Sequence, residues 1–268
     1  MTELGFVVRV GMPEEVVRSA AERAERAGYA SLWVNNPPGQ DGLTPVSWAA
    51  DATSRIRLGS AVVPVSHHSP AEIRERVTSL GLPRDRYRLG IGSGSSPHAR
   101  RTVLDAVREL RPAGYELVLA ALGPGMWRLV GEVADGGLLV ATTPEFARRS
   151  AELAREAAAA AGRPAPRVYV SVQTGIGPEA RQRLEAAIGF LAQLPQYVAH
   201  FERMGVAPND TLLAAADPED LARQLAPWHG AVDEVVISAA PPPDRPEAVL
   251  DLIEPARAAW ERSAGRAG

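Results

Sequence analysis

The chain has 268 residues, 46% of them hydrophobic, and a formal net charge of −3. It is long enough to bury one sizeable core, so one domain over residues 1–268 is expected, in the size range of α/β barrels. The mild acidity, with no dense Lys/Arg block interleaved with aromatics, argues against nucleic acid as a partner; the lack of cysteine excludes disulfides and thiolate ligands, and no apolar run approaches the roughly 18 residues of a membrane span.

The start, Met1-Thr2-Glu3-Leu4, lacks the basic-then-apolar layout of a signal peptide, so a cytoplasmic protein is expected. From there, short β-prone runs alternate with amphipathic helical stretches. The predicted strands are Leu4–Val10, Ser31–Asn36, Ile56–Val65, Tyr87–Ile91, Tyr115–Ala121, Gly137–Ala141, Val168–Gln173 and Glu234–Ala239. Each leads to a helix opening near a proline: Pro13, Pro45, Pro70, Pro97, Pro124, Pro144, Pro178 and Pro246 in turn. Proline suits the first helical position because its missing N–H would be unpaired there anyway. Thr44, Ser69, Ser96 and Thr143 stand as candidate caps, and Ser69 with Glu72 has capping-box spacing. Strand-then-helix units in series call for parallel strands joined by right-handed crossovers, and closure as a (β/α)8 barrel is the simplest outcome. The seventh crossover is longer: its helix from Pro178 is interrupted near Pro195, and another opens at Asp217-Pro218, which predicts extra helices outside the barrel. Ala151–Ala161 is alanine-rich, but its Glu152, Arg155 and Glu156 fit an ordinary surface helix.

Active sites of such barrels form from the loops at the C-terminal strand ends. Here those segments are rich in Gly, Ser, Thr and Asn and poor in carboxylates, which sets metal catalysis aside. Gly90-Ile91-Gly92-Ser93-Gly94-Ser95-Ser96-Pro97 is the sharpest local signal: its glycines could let backbone N–H groups reach an anion at a helix start. Arg100 and Arg101 follow in the first turn, an unfavourable place for cations unless an anion is near; a plain turn with solvated arginines is the alternative. Leu122-Gly123-Pro124-Gly125-Met126 offers a second close backbone approach on the next strand. His67, His68 and His98 are the acid/base candidates at this end, since imidazole titrates near neutrality. His200 and His229 fit surface or packing roles, Trp33 and Trp48 the core, and Trp127 the core in preference to the cofactor's flank. Arg9, among apolar neighbours in the first strand, needs either a structural carboxylate or a place at the barrel mouth facing cofactor or substrate.

Together, Glu25–Val34, Ala52–Gly59, Leu89–Gly92, Leu119–Met126, Ala134–Gly136 and Phe190–Gly205 resemble the luciferase-like oxidoreductases, in particular an actinobacterial branch that uses the deazaflavin coenzyme F420. The resemblance implies a flavin-type ring backed by a bulge, often with a non-proline cis peptide, at Ser60-Ala61-Val62. It places the coenzyme phosphate at Gly92, Ser93, Gly94 and the Leu122-Gly123-Pro124-Gly125-Met126 turn. Two departures stand out. Asn36-Pro37 occupies the position of the family's acidic residue and histidine, and Ser95 stands where deazaflavin dehydrogenases place a glutamate. With the histidines, Asn36 and Ser95 complete the set of catalytic positions. The segment after the fourth strand is also shortened, since Ser96 to Ala113 holds little more than one helix. The leading expectation is F420-dependent hydride transfer to or from a small organic substrate by a homodimer. An FMN-dependent monooxygenase and a catalytically silent cofactor-binding protein are the alternatives.

Overall fold

The computed structural model describes residues 1–265. Its strands are β1 (Glu3–Val8), β2 (Ser31–Asn35), β3 (Arg57–Ala61), β4 (Val63–Pro64), β5 (Tyr87–Gly92), β6 (Glu116–Ala120), β7 (Gly136–Val140), β8 (Arg167–Ile176), β9 (Leu213–Ala215) and β10 (Glu234–Ala239). All pairings are parallel, and β10 bonds both β1 and β8, so the sheet closes into an eight-stranded barrel in which β3 and β4 share one position. The expected (β/α)8 TIM barrel is the observed fold.

Strand ends differ from the expected ones for local reasons. The first strand stops at Val8 because the Val10 N–H donates to the Asn35 side chain, at 2.7 Å, and Gly11 then turns the chain with a φ of 85°. The third run breaks at Val62, where the Ala61–Val62 peptide is cis, as the resemblance implied. The seventh strand runs on to Ile176 because β9, absent from the sequence prediction, pairs with its last three residues.

The helices are α1 (Glu14–Arg26), α2 (Leu43–Ala52), α3 (Pro70–Ser79), α4 (Ala99–Leu110), α5 (Pro124–Val133), α6 (Pro144–Ala160), α7 (Pro178–Leu191), α8 (Pro195–Met204), α9 (Pro218–Leu225) and α10 (Ile253–Ala264). Ser69 and Glu72 form the expected capping box on α3, and Thr143 caps α6. Three expected starts move, one of them at Pro246, which opens a 3-10 segment over Pro246–Leu252 so that α10 begins only at Ile253. Asp41, not Thr44, accepts the first N–H groups of α2, and α4 begins at Ala99 because Ser96 bonds Thr102 Oγ1 and the His98 N–H from a turn. Only α4 and a 3-10 turn at Arg111–Ala113 separate β5 from β6, the shortened segment expected there. The Ala-rich α6 buries Ala147, Ala151, Ala154 and Ala158 on one face and keeps its charges outside.

Period-two alternation sorts each strand into two faces. Leu4, Phe6, Val8, Leu32, Val34, Leu89, Ile91, Val168, Val170 and Ile237 join the shell between sheet and helices. Val7, Trp33, Val118, Leu138, Tyr169 and Val236 fill the barrel's middle. Below them an ionic layer closes the N-terminal end. Glu234 is fully buried there, accepting from the Ser31 hydroxyl and the Trp33 indole, with Arg57 at 3.8 Å and Arg167 at 3.9 Å. Neither guanidinium reaches hydrogen-bond distance of that carboxylate, so loss of hydration dominates and pushes the Glu234 carboxyl above its ordinary range. The extra helices of the seventh crossover, expected outside the barrel, partly cap it: α7 and α8 build a second small core from Ala141, Leu184, Ile188, Phe201, Leu212 and Ala214 over the ends of β7 and β8.

Candidate active site at the barrel mouth

Continuing the inward face of each strand upward gives the lining of the C-terminal mouth. From β3 to β7 it reads Ala61, Val62, Gly92, Ala120 and Val140; from β8 round to β2 it reads Ser171, Gln173, Ser238, Arg9 and Asn35. One wall is therefore small and apolar, and the opposite wall is polar. The apolar wall is tightly constructed. A side chain at Gly90 would strike the Ser60 carbonyl, and one at Gly92 would sit 2.8 Å from Val62 Cγ2. Ser60, expected beside the ring, instead turns its hydroxyl into the sheet. It accepts from the Tyr87 hydroxyl and the Gly90 N–H, both at 3.0 Å, and donates to the Gly90 carbonyl at 3.2 Å, which locks the cis segment against β5.

The Gly-rich loop after β5 differs from its sequence reading. Gly94 has a φ of 59° and leans directly on the Ser66 side chain, whose hydroxyl also accepts the Ser95 N–H at 3.3 Å, while Ser93 stays local to Gly94. Arg100 pairs with Glu132 at 2.8 Å and Arg101 with Asp105 at 3.8 Å. Those carboxylates supply the negative charge that the sequence reading sought in a bound anion, so the arginine argument for this loop falls.

The next helix start retains its case. Gly123 precedes α5 with φ −114° and ψ 163°, Pro124 and Gly125 are exposed, Leu122 and Met126 half-buried, and the first turn carries no acidic residue. The nearest atoms to a side chain at Gly123 would be the guanidinium of Arg203, 3.7 Å away on α8. The first-turn N–H groups and an exposed arginine thus face one point. Nothing in the sequence ties Arg203 to Gly123, because the long seventh crossover alone brings them together.

Asn36 is buried, and its side-chain oxygen accepts the Gly42 N–H at 2.8 Å, closing the β2–α2 loop. His67 and His98 are exposed, the former 2.9 Å from the Ser66 hydroxyl and the latter preceding α4; Ser95 is exposed as well. His68 is half-buried. It lines a cleft of about 650 Å³ between the β2–α2 loop and α3, with Asn36, Asp41, Val63, Glu72 and Arg76. His200 packs instead, fully buried with Nε2 2.9 Å from the Ala141 carbonyl, and its burial lowers its pKa. His229 stacks on Trp260 with ring centroids 3.9 Å apart. Trp33 and Trp127 are core residues, as expected, and Trp48 packs half-buried against the core. Sequence reasoning missed Ser171 and Gln173, although their alternation with Val168, Val170 and Val172 was a usable signal.

The structure is a closed parallel (β/α)8 barrel whose C-terminal mouth sets a small apolar wall against a polar one. The luciferase-like monooxygenase family profile matches residues 10–113 and 106–259, and the chain belongs to that family. Among curated relatives, the 4-hydroxyprotoasukamycin monooxygenase of Streptomyces nodosus subsp. asukaensis is 36% identical over 84 residues, 29% of this chain and 23% of that protein's own length. Two solved structures share the fold. The coenzyme F420-dependent tetrahydromethanopterin reductase of Methanopyrus kandleri has a TM-score of 0.75 at 16% identity, covering 97% of this chain and 98% of that one. The FMN-bound oxygenating constituent of 3,6-diketocamphane monooxygenase from Pseudomonas putida has a TM-score of 0.71 at 15% identity, covering 98% of each. The chain thus spans less than a quarter of that curated relative's length, and the two solved neighbours are named, respectively, as F420-dependent and as FMN-bound.

Proposed function

We propose that this enzyme transfers a hydride between coenzyme F420 and a small organic substrate. The observation that carries the proposal is the two-sided mouth, in which Ala61, Val62, Gly92 and Ala120 present nothing larger than a few methyl groups on one wall while the facing wall is polar. A planar tricyclic ring can lie flat against such a wall, its apolar face buried. When bound, the deazaflavin supplies the two-electron chemistry, and the chain's work is to hold, orient and exclude water. Gly123, Gly125 and Arg203 hold the phosphate; Ser171 and Ser238 offer hydroxyl groups to the reacting oxygen. Among the described residues no carboxylate lines the mouth, and Asn36, with its oxygen engaged by Gly42, can offer an N–H but cannot take up a proton. Of the proposed catalytic positions His67, His68, His98, Asn36 and Ser95, His68 is the imidazole placed beside the mouth in a cleft, and we assign proton exchange to it.

FMN-dependent oxygenation is the second reading, favoured by the monooxygenase relative. Fluorescence titration with both coenzymes, followed by stopped-flow mixing of the reduced complex with oxygen, separates the two. Binding of F420 at least tenfold tighter than FMN, and a reduced complex inert to oxygen, is expected. Tight FMN binding with oxygen-dependent turnover overturns the F420 reading, and failure to bind either coenzyme overturns both.

A further inference from the structure

Gly5 and Val7 lie on the inward face of the first strand, and Arg9, one residue past its end at Val8, continues their spacing. A side chain at Gly5 would meet Glu234 and Ser31 in the barrel floor, and Val7 packs in the barrel's middle, so Arg9 stands at the mouth. Arg9 is half-buried. Among the described residues it is the one arginine not exposed to solvent that makes no ion pair, hydrogen bond or ring contact. Elsewhere the protein pairs its sheltered guanidiniums: Arg88 with Glu116, Arg167 with Glu3, Arg111 with Asp135. Burial without compensation also lowers the pKa of Arg9.

A second unfinished group lies in the same quadrant. Val7 is in register with Ser238, and Ser238 with Gln173, so the three form one row across β1, β10 and β8. At the usual strand spacing, Gln173 is roughly 10 Å from β1 across the wall, within the combined reach of the two side chains around one small molecule. Its Oε1 is buried without a hydrogen-bond partner, while the rest of the side chain is half-exposed. An unpaired guanidinium fits a planar oxyanion, to which it donates two parallel N–H bonds, while the unfilled Gln173 Oε1 accepts from a hydroxyl or N–H carried next to that anion. The coenzyme phosphate does not serve here, because Gly123 follows β6, which lies diametrically across the barrel from β1.

We propose that Arg9 binds the carboxylate of the substrate, with Gln173 Oε1 accepting from a donor group next to it, so that the enzyme acts on small carboxylic acids whose reducible or oxidisable carbon lies a few atoms from the acid group. The inference rests on the reading of the mouth as the active site.

The test has two arms. In the first, a panel of short aliphatic, 2-hydroxy and aryl carboxylates and their primary amides is titrated by calorimetry into wild type, Arg9→Met and Arg9→Lys, each with and without bound coenzyme. At least one carboxylate should bind wild type tenfold or more tightly than its amide; Met should abolish that preference and Lys retain part of it. Coenzyme affinity should stay within threefold throughout. In the second, thermal unfolding of the ligand-free proteins should show Arg9→Met at a higher Tm than wild type, since a sheltered charge without a partner is removed. The proposal is overturned if no carboxylate is preferred over its amide, if the preference survives in Arg9→Met, if that variant unfolds earlier, or if coenzyme binding weakens with it. Should neither coenzyme bind wild type, the functional proposal fails, while the acid-against-amide comparison on the ligand-free protein still decides this one.

Discussion

Replacing Gly123 by alanine probes the coenzyme grip with little risk to the fold. The residue sits in extended backbone at φ −114°, open to any side chain, and the added methyl meets only the far end of Arg203 at ordinary contact distance. Removing glycine's extra unfolded freedom at a compatible position stabilises by about 0.4–1 kcal/mol, so the ligand-free protein should unfold at the same or a slightly higher temperature. The methyl nevertheless fills the space between the α5 N-terminus and the guanidinium where an anion would rest. Loss of one charge-assisted hydrogen bond costs about 1.5–3 kcal/mol. At 1.4 kcal/mol per decade, the coenzyme dissociation constant should rise roughly 10- to 150-fold. Fluorescence titration read beside thermal unfolding gives two quantities predicted to move in opposite senses. A Gly123→Ala protein that is folded and binds F420 and FMN as tightly as wild type would refute the α5 anion site. Gly94 does not allow this separation, because its positive φ and its contact with Ser66 make any side chain there a structural perturbation first.

Ser60→Ala should leave the buried Tyr87 hydroxyl and the Gly90 N–H without their partner, at a cost of about 2–4 kcal/mol. A Tm lowered by roughly 5–15 °C is expected, and an unchanged Tm would show that the hydroxyl does not lock β3 to β5. Glu234 has a folded pKa above its ordinary 4.5, so the folded state holds the proton to higher pH than the unfolded chain, and its contribution to stability is fully present at low pH and lost as pH rises through the folded value. The Tm advantage of Glu234→Gln over wild type should therefore grow as pH is raised from about 4 to 7; an advantage that shrinks over that range contradicts the assignment. Arg203→Ala should weaken coenzyme binding in a salt-dependent way because the guanidinium is exposed, and a loss independent of ionic strength would point to a packing role instead. We also propose a homodimer, which light scattering at tens of micromolar should report at about twice the 28.5 kDa chain mass, a monomer alone ruling it out.

The repeat of strand, proline and helix was enough to read the barrel, because hydrophobic periodicity and helix-start chemistry are local properties. Ser69 with Glu72 capped α3 as their spacing required, and the Ala61–Val62 cis peptide falls where the family resemblance placed it. The site was only half legible. Glycine content after the fourth strand suggested a cradle for an anion, but Gly94 is there to pass Ser66, and Arg100 and Arg101 answer Glu132 and Asp105, partners some distance away along the chain or one helical turn on. Which side chains converge depended on barrel closure. Pairing of β10 with both β1 and β8 sets Arg9, Ser238 and Gln173 in one quadrant, and the packing of α8 over the strand ends carries Arg203 to Gly123. Alternation along a strand can be read from the residues themselves. The register between strands far apart in sequence, and the unpaired state of a guanidinium, are set by every other residue that could have reached it, and so only the tertiary structure decides them.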